Sequence, residues 1–229
     1  MAEIQDGSVD MVLCDLPYGT TECSWDSVIP FDQLWAHYKR VCKPTAAIVL
    51  TAHQPFTTEL INSNRKMFRY CWVWIKSGVT GFGNAKKQPL RAYEDVVVFY
   101  QKQPDYKPLG IVKLDKPKRQ GHPGAFMGRT GFRQGYETTW TNYPRNILTF
   151  ASERGFHPTQ KPVALFEYLI RTYTNPGELV LDNCMGSGTT AIAAINTGRD
   201  YIGFETDEVY YRTATERIAG HQATLLDVA

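Results

Sequence analysis

The segment Leu179-Val180-Leu181-Asp182-Asn183-Cys184-Met185-Gly186-Ser187-Gly188-Thr189-Thr190 limits the fold more than any other stretch of the chain. Its apolar start reads as a buried strand, an acid stands at the strand's end, and glycines then open a helix. Glycine lets a ligand approach the backbone closely, and a helix N-terminus presents unpaired N–H groups, so the segment reads as a nucleotide-like cofactor site. It lacks the Gly-Lys-Ser/Thr of a phosphate-binding loop and the three-glycine dinucleotide pattern, which argues against ATP and NAD. A tight strand-to-helix turn without a ligand is the plainer alternative. Further on, Tyr201-Ile202-Gly203-Phe204 repeats the strand pattern and ends on Glu205. In doubly wound sheets an acid roughly twenty residues after the glycine turn accepts hydrogen bonds from ribose hydroxyls.

The rest of the chain alternates strand and helix signals. Apolar runs at Val9 to Cys14 and Ala46 to Thr51 predict buried strands, and the spacing of Phe31, Leu34, Trp35, Tyr38 and Val41 predicts a helix between them. A second helix is expected from about Phe56 to Arg65, and further strands at Tyr70 to Ile75 and Asp95 to Tyr100, separated by a polar loop. A helix from Pro162 to Tyr173, the glycine segment with its helix to about Thr197, the strand at Tyr201 to Phe204 and a last helix from about Asp207 to Ala219 complete the order. Such alternation predicts an α/β fold: a three-layer αβα Rossmann-like arrangement, mostly parallel, with an antiparallel strand near one edge. From about Gln101 to Phe156 the periodicity fails, and 101–155 is expected to be an insertion in a single 1–229 domain.

With 43% hydrophobic and 21% charged residues, the 229-residue chain falls among globular proteins rather than disordered or fibrous ones. It carries no apolar run of the roughly 18 residues needed to span a bilayer and no signal-peptide pattern at Met1 to Asp6, so a cytoplasmic protein without a membrane partner is expected. Five cysteines without a Cys-x-x-Cys pair read as reduced core or pocket residues, with no metal expected. A net charge of +2 says little, but between Lys102 and Arg145 nine Lys or Arg face three acids, a segment suited to phosphates.

Asp15-Leu16-Pro17-Tyr18 is short enough to occur by chance, yet its chemistry is specific. The lone pair of an exocyclic base amine is delocalised into the ring, and nucleophilic attack requires it to be localised. A carboxylate and a backbone carbonyl accepting the amino hydrogens favour that change, and an aromatic ring beside them can stack on an extruded base. Asp15, the Leu16 carbonyl and Tyr18 supply these elements, with Pro17 restraining Leu16 towards an extended backbone.

These residues resemble the catalytic Asp-Pro-Pro-Tyr motif of β-class amino-methylating DNA methyltransferases, with Leu16 in place of the first Pro. Asp182 to Gly188 resembles the same family's Phe-x-Gly-x-Gly cofactor motif, with Cys184 where Phe commonly stands. His157-Pro158-Thr159-Gln160-Lys161-Pro162 is similar to the segment that precedes it. The circularly permuted motif order, catalytic before cofactor, is the one this class shows. The resemblance implies S-adenosylmethionine as cofactor, held by Asp15, His157, Thr159, Lys161, Asp182, Gly186, Ser187, Gly188, Thr189 and Glu205, with Lys161 reaching its carboxylate. It implies transfer to a DNA base amine, N6 of adenine first and N4 of cytosine as the rival, without a covalent intermediate. A catalytically weakened DNA-binding homologue is a further alternative. Double-stranded DNA is the implied partner, with Lys86 and Lys87 on phosphates and Arg129 and Arg133 as candidates for guanine edges. Relatives often carry a strand ending in Gly-Asp ahead of the catalytic motif. Met1 lies only fourteen residues before Asp15, so that edge strand is expected to be absent unless Gln222 to Ala229 or a second subunit, as in a homodimer, replaces it, or unless Met1 is internal to a longer reading frame. Target sequence and any restriction endonuclease partner are left open.

Overall fold

The computed structural model describes residues 1–20, 26–120, 136–153, 155–156 and 159–228. Two compact units are present, one of Met1–Lys107 with Asn146–Ala229 and one of Pro108–Arg145.

The larger unit is built on a seven-stranded sheet. In chain order its strands are β1 (Val9–Asp15), β2 (Cys42–Ala52), β3 (Phe68–Thr80), β4 (Arg91–Phe99), β7 (Ile147–Thr149), β8 (Leu179–Asp182) and β9 (Asp200–Gly203). They lie side by side as β7-β3-β4-β2-β1-β8-β9. Every pairing is parallel except those of β4, which runs against both β2 and β3. The expected mixed sheet is therefore present, with its reversed strand third from one edge.

Alternation along the strands sorts the core into two faces. Val12, Cys14, Ile48, Leu50, Val97, Phe99 and Leu181 point to one side, where α1 (Phe31–Val41) and α2 (Phe56–Ser63) cover them. Met11, Leu13, Val49, Val96, Val98 and Val180 point to the other, under α3 (Val163–Tyr173) and α4 (Thr189–Thr197). Three layers result. Strands buried on both faces need apolar residues at every position, which is why β1 and β4 read as continuous runs rather than alternating ones. Burial of each such Val, Leu or Ile contributes roughly 1.5–3 kcal/mol. The last helix, α5 (Glu208–Val228), is longer than expected and is only partly buried. It takes in 222–228, so those residues do not replace an edge strand, and β9 stands at the sheet's end among the described residues. No helix among the described residues is long and apolar enough to cross a membrane.

The smaller unit contains a two-stranded antiparallel ribbon, β5 (Val112–Gln120) and β6 (Tyr136–Thr141). Neither strand was expected. Lys113, Lys116 and Lys118 are exposed along β5, so the segment lacks the apolar alternation by which a half-buried strand is recognised. The three-residue β7 is too short for a period to register.

Candidate functional site

The parallel strands β1, β2 and β8 all end at the same sheet edge, and Asp15, Thr51 and Asp182 stand there. Asp15 pairs in register with Thr51, and Thr51 with Val96 of β4. Because β4 is reversed, its beginning lies at this edge, and Glu94 comes two residues beyond Val96 on the same face. Glu94 in turn pairs with Trp74 of β3, which places Lys76 alongside. Lys161 arrives from the segment that leads into α3, the helix covering this face.

These side chains form a row of alternating charge. The Lys161 ammonium donates to Asp15 Oδ2 at 2.5 Å and lies 3.3 Å from Glu94 Oε2, while Lys76 donates to Glu94 Oε1 at 3.1 Å. Asp15 Oδ1 accepts hydrogen bonds from the hydroxyls of Thr51 and, at 2.6 Å, Tyr18. Burial would lower the Lys161 ammonium, but the charges of Asp15 and Glu94 together outweigh it and hold it above the ordinary lysine value. Burial would likewise raise Glu94, yet Lys161 and Lys76 hold it below the usual carboxylate value. Burial, and then the Asp15 charge, push the Tyr18 phenol well up, so it is a hydroxyl donor at neutral pH. Leu16 keeps its side chain in the core beside α1 and α2.

The glycine segment is held by a different kind of contact. Asp182 is 2% exposed, and its oxygens accept from the Thr190 hydroxyl and from the Cys184 N–H. Burial raises its carboxyl to about 6, against the opposing pull of Thr190 and the Cys184 N–H. Gly188 has φ +82°, and a Cβ there would stand 3.3 Å from Ala214 Cβ of α5, so the turn into α4 needs glycine for both torsion and space. Glu205 receives the Gly186 N–H at 2.7 Å on one oxygen, and the N–H groups of Thr206 and Asp207 on the other. It thus ties the glycine turn to the end of β9. Arg217 of α5 donates to the Ser187 carbonyl at 3.0 Å and approaches the Thr189 hydroxyl at 3.3 Å, while Thr189 in turn reaches the Lys161 carbonyl at 3.4 Å.

Both groups line one cavity of about 600 Å³. Asp15 to Tyr18, Thr159, Lys161, Asp182, Gly186, Ser187, Thr189 and Glu205 all border it, whereas Gly188 acts through backbone shape. Lys161, expected at a cofactor carboxylate, has its ammonium on Asp15 and Glu94. Lys86 and Lys87 are exposed just after the short helical turn Phe82–Asn84. His157, Arg129 and Arg133 lie outside the described residues. Thr51, Lys76, Glu94, His53 and Arg91 were not singled out from the sequence, although Glu94 stands just before the strand expected from Asp95. His53 lines the cavity with its ring edge-on to Tyr18, centroids 4.8 Å apart, and Arg91 approaches its Nε2 at 3.4 Å. Among the described residues no His, Cys, Asp or Glu cluster could hold a metal.

Known proteins match this architecture closely. The DNA methylase family model aligns with residues 9–216. The chain is 40% identical over 248 residues to the type II methyltransferase M2.DpnII of Streptococcus pneumoniae, covering 98% of this chain and 87% of that one. It is 30% identical over 241 residues to the DNA adenine methyltransferase YhdJ of Escherichia coli, covering 95% and 79%. Among solved structures, M1.HpyAVI in complex with SAM superposes with a TM-score of 0.61 at 24% identity, over 91% of this chain and 88% of that one. The cytosine-N4-specific PvuII DNA methyltransferase superposes with a TM-score of 0.67 at 16% identity, over 99% and 88%. With the family model spanning the strand that carries Asp15, the glycine turn and Glu205, the chain belongs to the N6/N4 family of DNA amino-methyltransferases.

Proposed function

We propose that this chain transfers a methyl group from S-adenosylmethionine to N6 of adenine in double-stranded DNA. The observation that carries the reading is that the Asp15–Tyr18 loop and the glycine turn with Glu205 share one cavity. At about 600 Å³ it is within the range of ligand pockets and large enough for a nucleoside-sized group. Its glycine turn, helix N-terminus and Glu205 carboxylate fit an adenosyl cofactor bearing ribose hydroxyls. When bound, S-adenosylmethionine supplies an electrophilic methyl group on a sulfonium centre.

The chain's own residues then act on the base. A flipped adenine stacks on the Tyr18 ring, and its amino hydrogens are accepted by Asp15 and the Leu16 carbonyl, which localises the nitrogen lone pair. A carboxylate offers about four lone-pair sites. Thr51, Tyr18 and Lys161 take three of them, so Asp15 is held in place with one acceptor site to spare. The proton released from the amine leaves by way of that carboxylate. On the DNA side, Lys86 and Lys87 meet phosphates, and the insertion at 101–155, which contains the basic β5–β6 ribbon, reads the target, with Arg129 and Arg133 as its base-contacting candidates.

Adenine is favoured by Asp15 at the head of the tetrapeptide, where N4-cytosine members more often carry Ser, and by the named activity of the YhdJ relative. The test is transfer of labelled methyl to unmethylated duplex DNA followed by nucleoside identification. N6-methyladenine is the expected product. N4-methylcytosine would replace the base assignment, and no product from folded, DNA-binding protein would overturn the enzymatic reading.

A further inference from the structure

We propose that Glu94, fixed by Lys76, is a positioning residue that shares the Lys161 ammonium with Asp15 and so keeps the charged floor of the cavity neutral towards a cationic cofactor. The inference rests on the S-adenosylmethionine reading above.

Lys161 already has a full partner in Asp15 at 2.5 Å, so a second buried acid beside it is not needed to satisfy it. Glu94 is nevertheless there, its side chain 12% exposed, and Lys76 at 9% exposure balances it in turn. Buried charges of this kind are weak stabilisers, since well-packed apolar residues of the same volume serve a fold equally well or better. Glu94 Oε2 faces Lys161 at 3.3 Å yet accepts no hydrogen bond among the described residues. An oxygen so placed acts on the ammonium by charge more than by directed bonding. The row Lys76, Glu94, Lys161, Asp15 sums to zero, and all four border the cavity.

Neutrality matters because the cofactor and its product differ by one charge. S-adenosylmethionine carries a sulfonium, whereas S-adenosylhomocysteine is the neutral thioether left after the methyl has gone to the base nitrogen. Without Glu94 the row carries one net positive charge, which repels the sulfonium, whereas its effect on the amino-acid end is common to both ligands and cancels in their ratio. At an effective dielectric near 20, one unit charge acting across a cavity of this size corresponds to on the order of tenfold in affinity. A role confined to folding or packing would weaken both ligands alike.

The experiment is titration calorimetry of both ligands with the full chain. Glu94→Gln is expected to weaken S-adenosylmethionine on the order of tenfold relative to S-adenosylhomocysteine. Lys76→Met, which leaves the row net negative, should move the ratio the other way by a similar factor. It also provides the test if Glu94→Gln does not fold. Combining the two substitutions restores neutrality and should return the ratio to within about threefold of wild type. Equal loss of both ligands in Glu94→Gln, or a ratio that does not reverse in Lys76→Met, overturns the proposal. If the wild-type chain binds neither ligand, the cofactor reading itself fails and this inference falls with it.

Discussion

The two ends of the cavity are held by different forces. At the glycine turn the contacts are short-range and mostly involve backbone: Asp182 on the Cys184 N–H, Glu205 on the N–H groups of Gly186, Thr206 and Asp207. At the Asp15 end they are ion pairs and hydroxyls drawn from β1, β2, β3, β4 and the lead-in to α3. The N–H groups at the first end are taken up by Asp182 and Glu205, which fixes the shape of the turn that borders the cavity. A row of ion pairs and hydroxyls holds one carboxylate in place where, on the proposed mechanism, positive charge develops. On the function proposed above, the first end binds and the second reacts, and substitutions should separate them.

Asp15→Ala should have the largest effect. Loss of a preorganised group that meets developing charge typically costs 10²–10³-fold in rate, and here the amine also loses its principal acceptor, so methyl transfer should fall by about 10³-fold or more. Affinity for S-adenosylmethionine, measured by calorimetry, should change much less. Turnover near wild type would remove Asp15 from the mechanism and erase the division between the two ends.

Lys161→Met should act on the fold as well as on activity. Removing the cation leaves Asp15 with hydroxyl donors alone and Glu94 with Lys76 as its remaining cation, so the row turns net negative, and breaking a buried pair from one side costs roughly 3–5 kcal/mol. Urea unfolding near pH 7 checks this, and an unchanged midpoint would mean that the two acids relax apart or take up a proton with little penalty.

How much of this could be read beforehand follows the same division. The glycine end is local in sequence: Asp182 to Thr190 lie within one strand-turn-helix, and Glu205 closes the next strand. Their types and order alone point to a ligand. Sheet strands buried on both faces were equally plain, because continuous runs such as Val96 to Phe99 have few other fates. Asp15 and Tyr18 were legible through the chemistry of one tetrapeptide. Their supports Thr51, Lys76 and Glu94 were not, and Lys161 was read only as a cofactor contact, since these residues meet only after the sheet is ordered and β4 reversed. Strand direction is not encoded in the apolar run itself, so a charged residue at its start could equally have belonged to the opposite edge. The β5–β6 ribbon escaped because lysine-rich strands outside a core carry no period.

Neutralising a charge at the glycine end should have the opposite sign to Lys161→Met. Asp182 titrates near 6 in the fold, above the ordinary aspartate value of 3.8, because burial disfavours its anion. For a carboxyl raised in this way the favourable contribution is complete below about pH 3.8 and is lost as pH rises through about 6, a swing of roughly 3 kcal/mol. Asp182→Asn has no such titration. Between pH 4 and pH 7 the variant should therefore gain up to about 3 kcal/mol relative to wild type in urea unfolding. Parallel stability curves would show that Thr190 and the Cys184 N–H compensate the buried anion fully.

Glu205→Ala sets the lower limit of the comparison, because it removes one member of a cradle whose other members remain. Hydrogen bonds to a charged group contribute about 1.5–3 kcal/mol each, but water recovers part of that for a half-buried side chain, so affinity for S-adenosylmethionine should weaken by about tenfold rather than vanish. The glycine turn also loses its tie to β9 through the Gly186 N–H, so S-adenosylhomocysteine should weaken to the same degree. Maximal rate at saturating cofactor should stay within about threefold of wild type, since the row around Asp15 is untouched. That pattern, equal loss for both ligands with a preserved rate, is the reverse of the one expected for Glu94→Gln. A rate that fell with the affinity would mean that Glu205 also sets the cofactor's alignment against the base, and the two ends of the cavity would then be one mechanical unit.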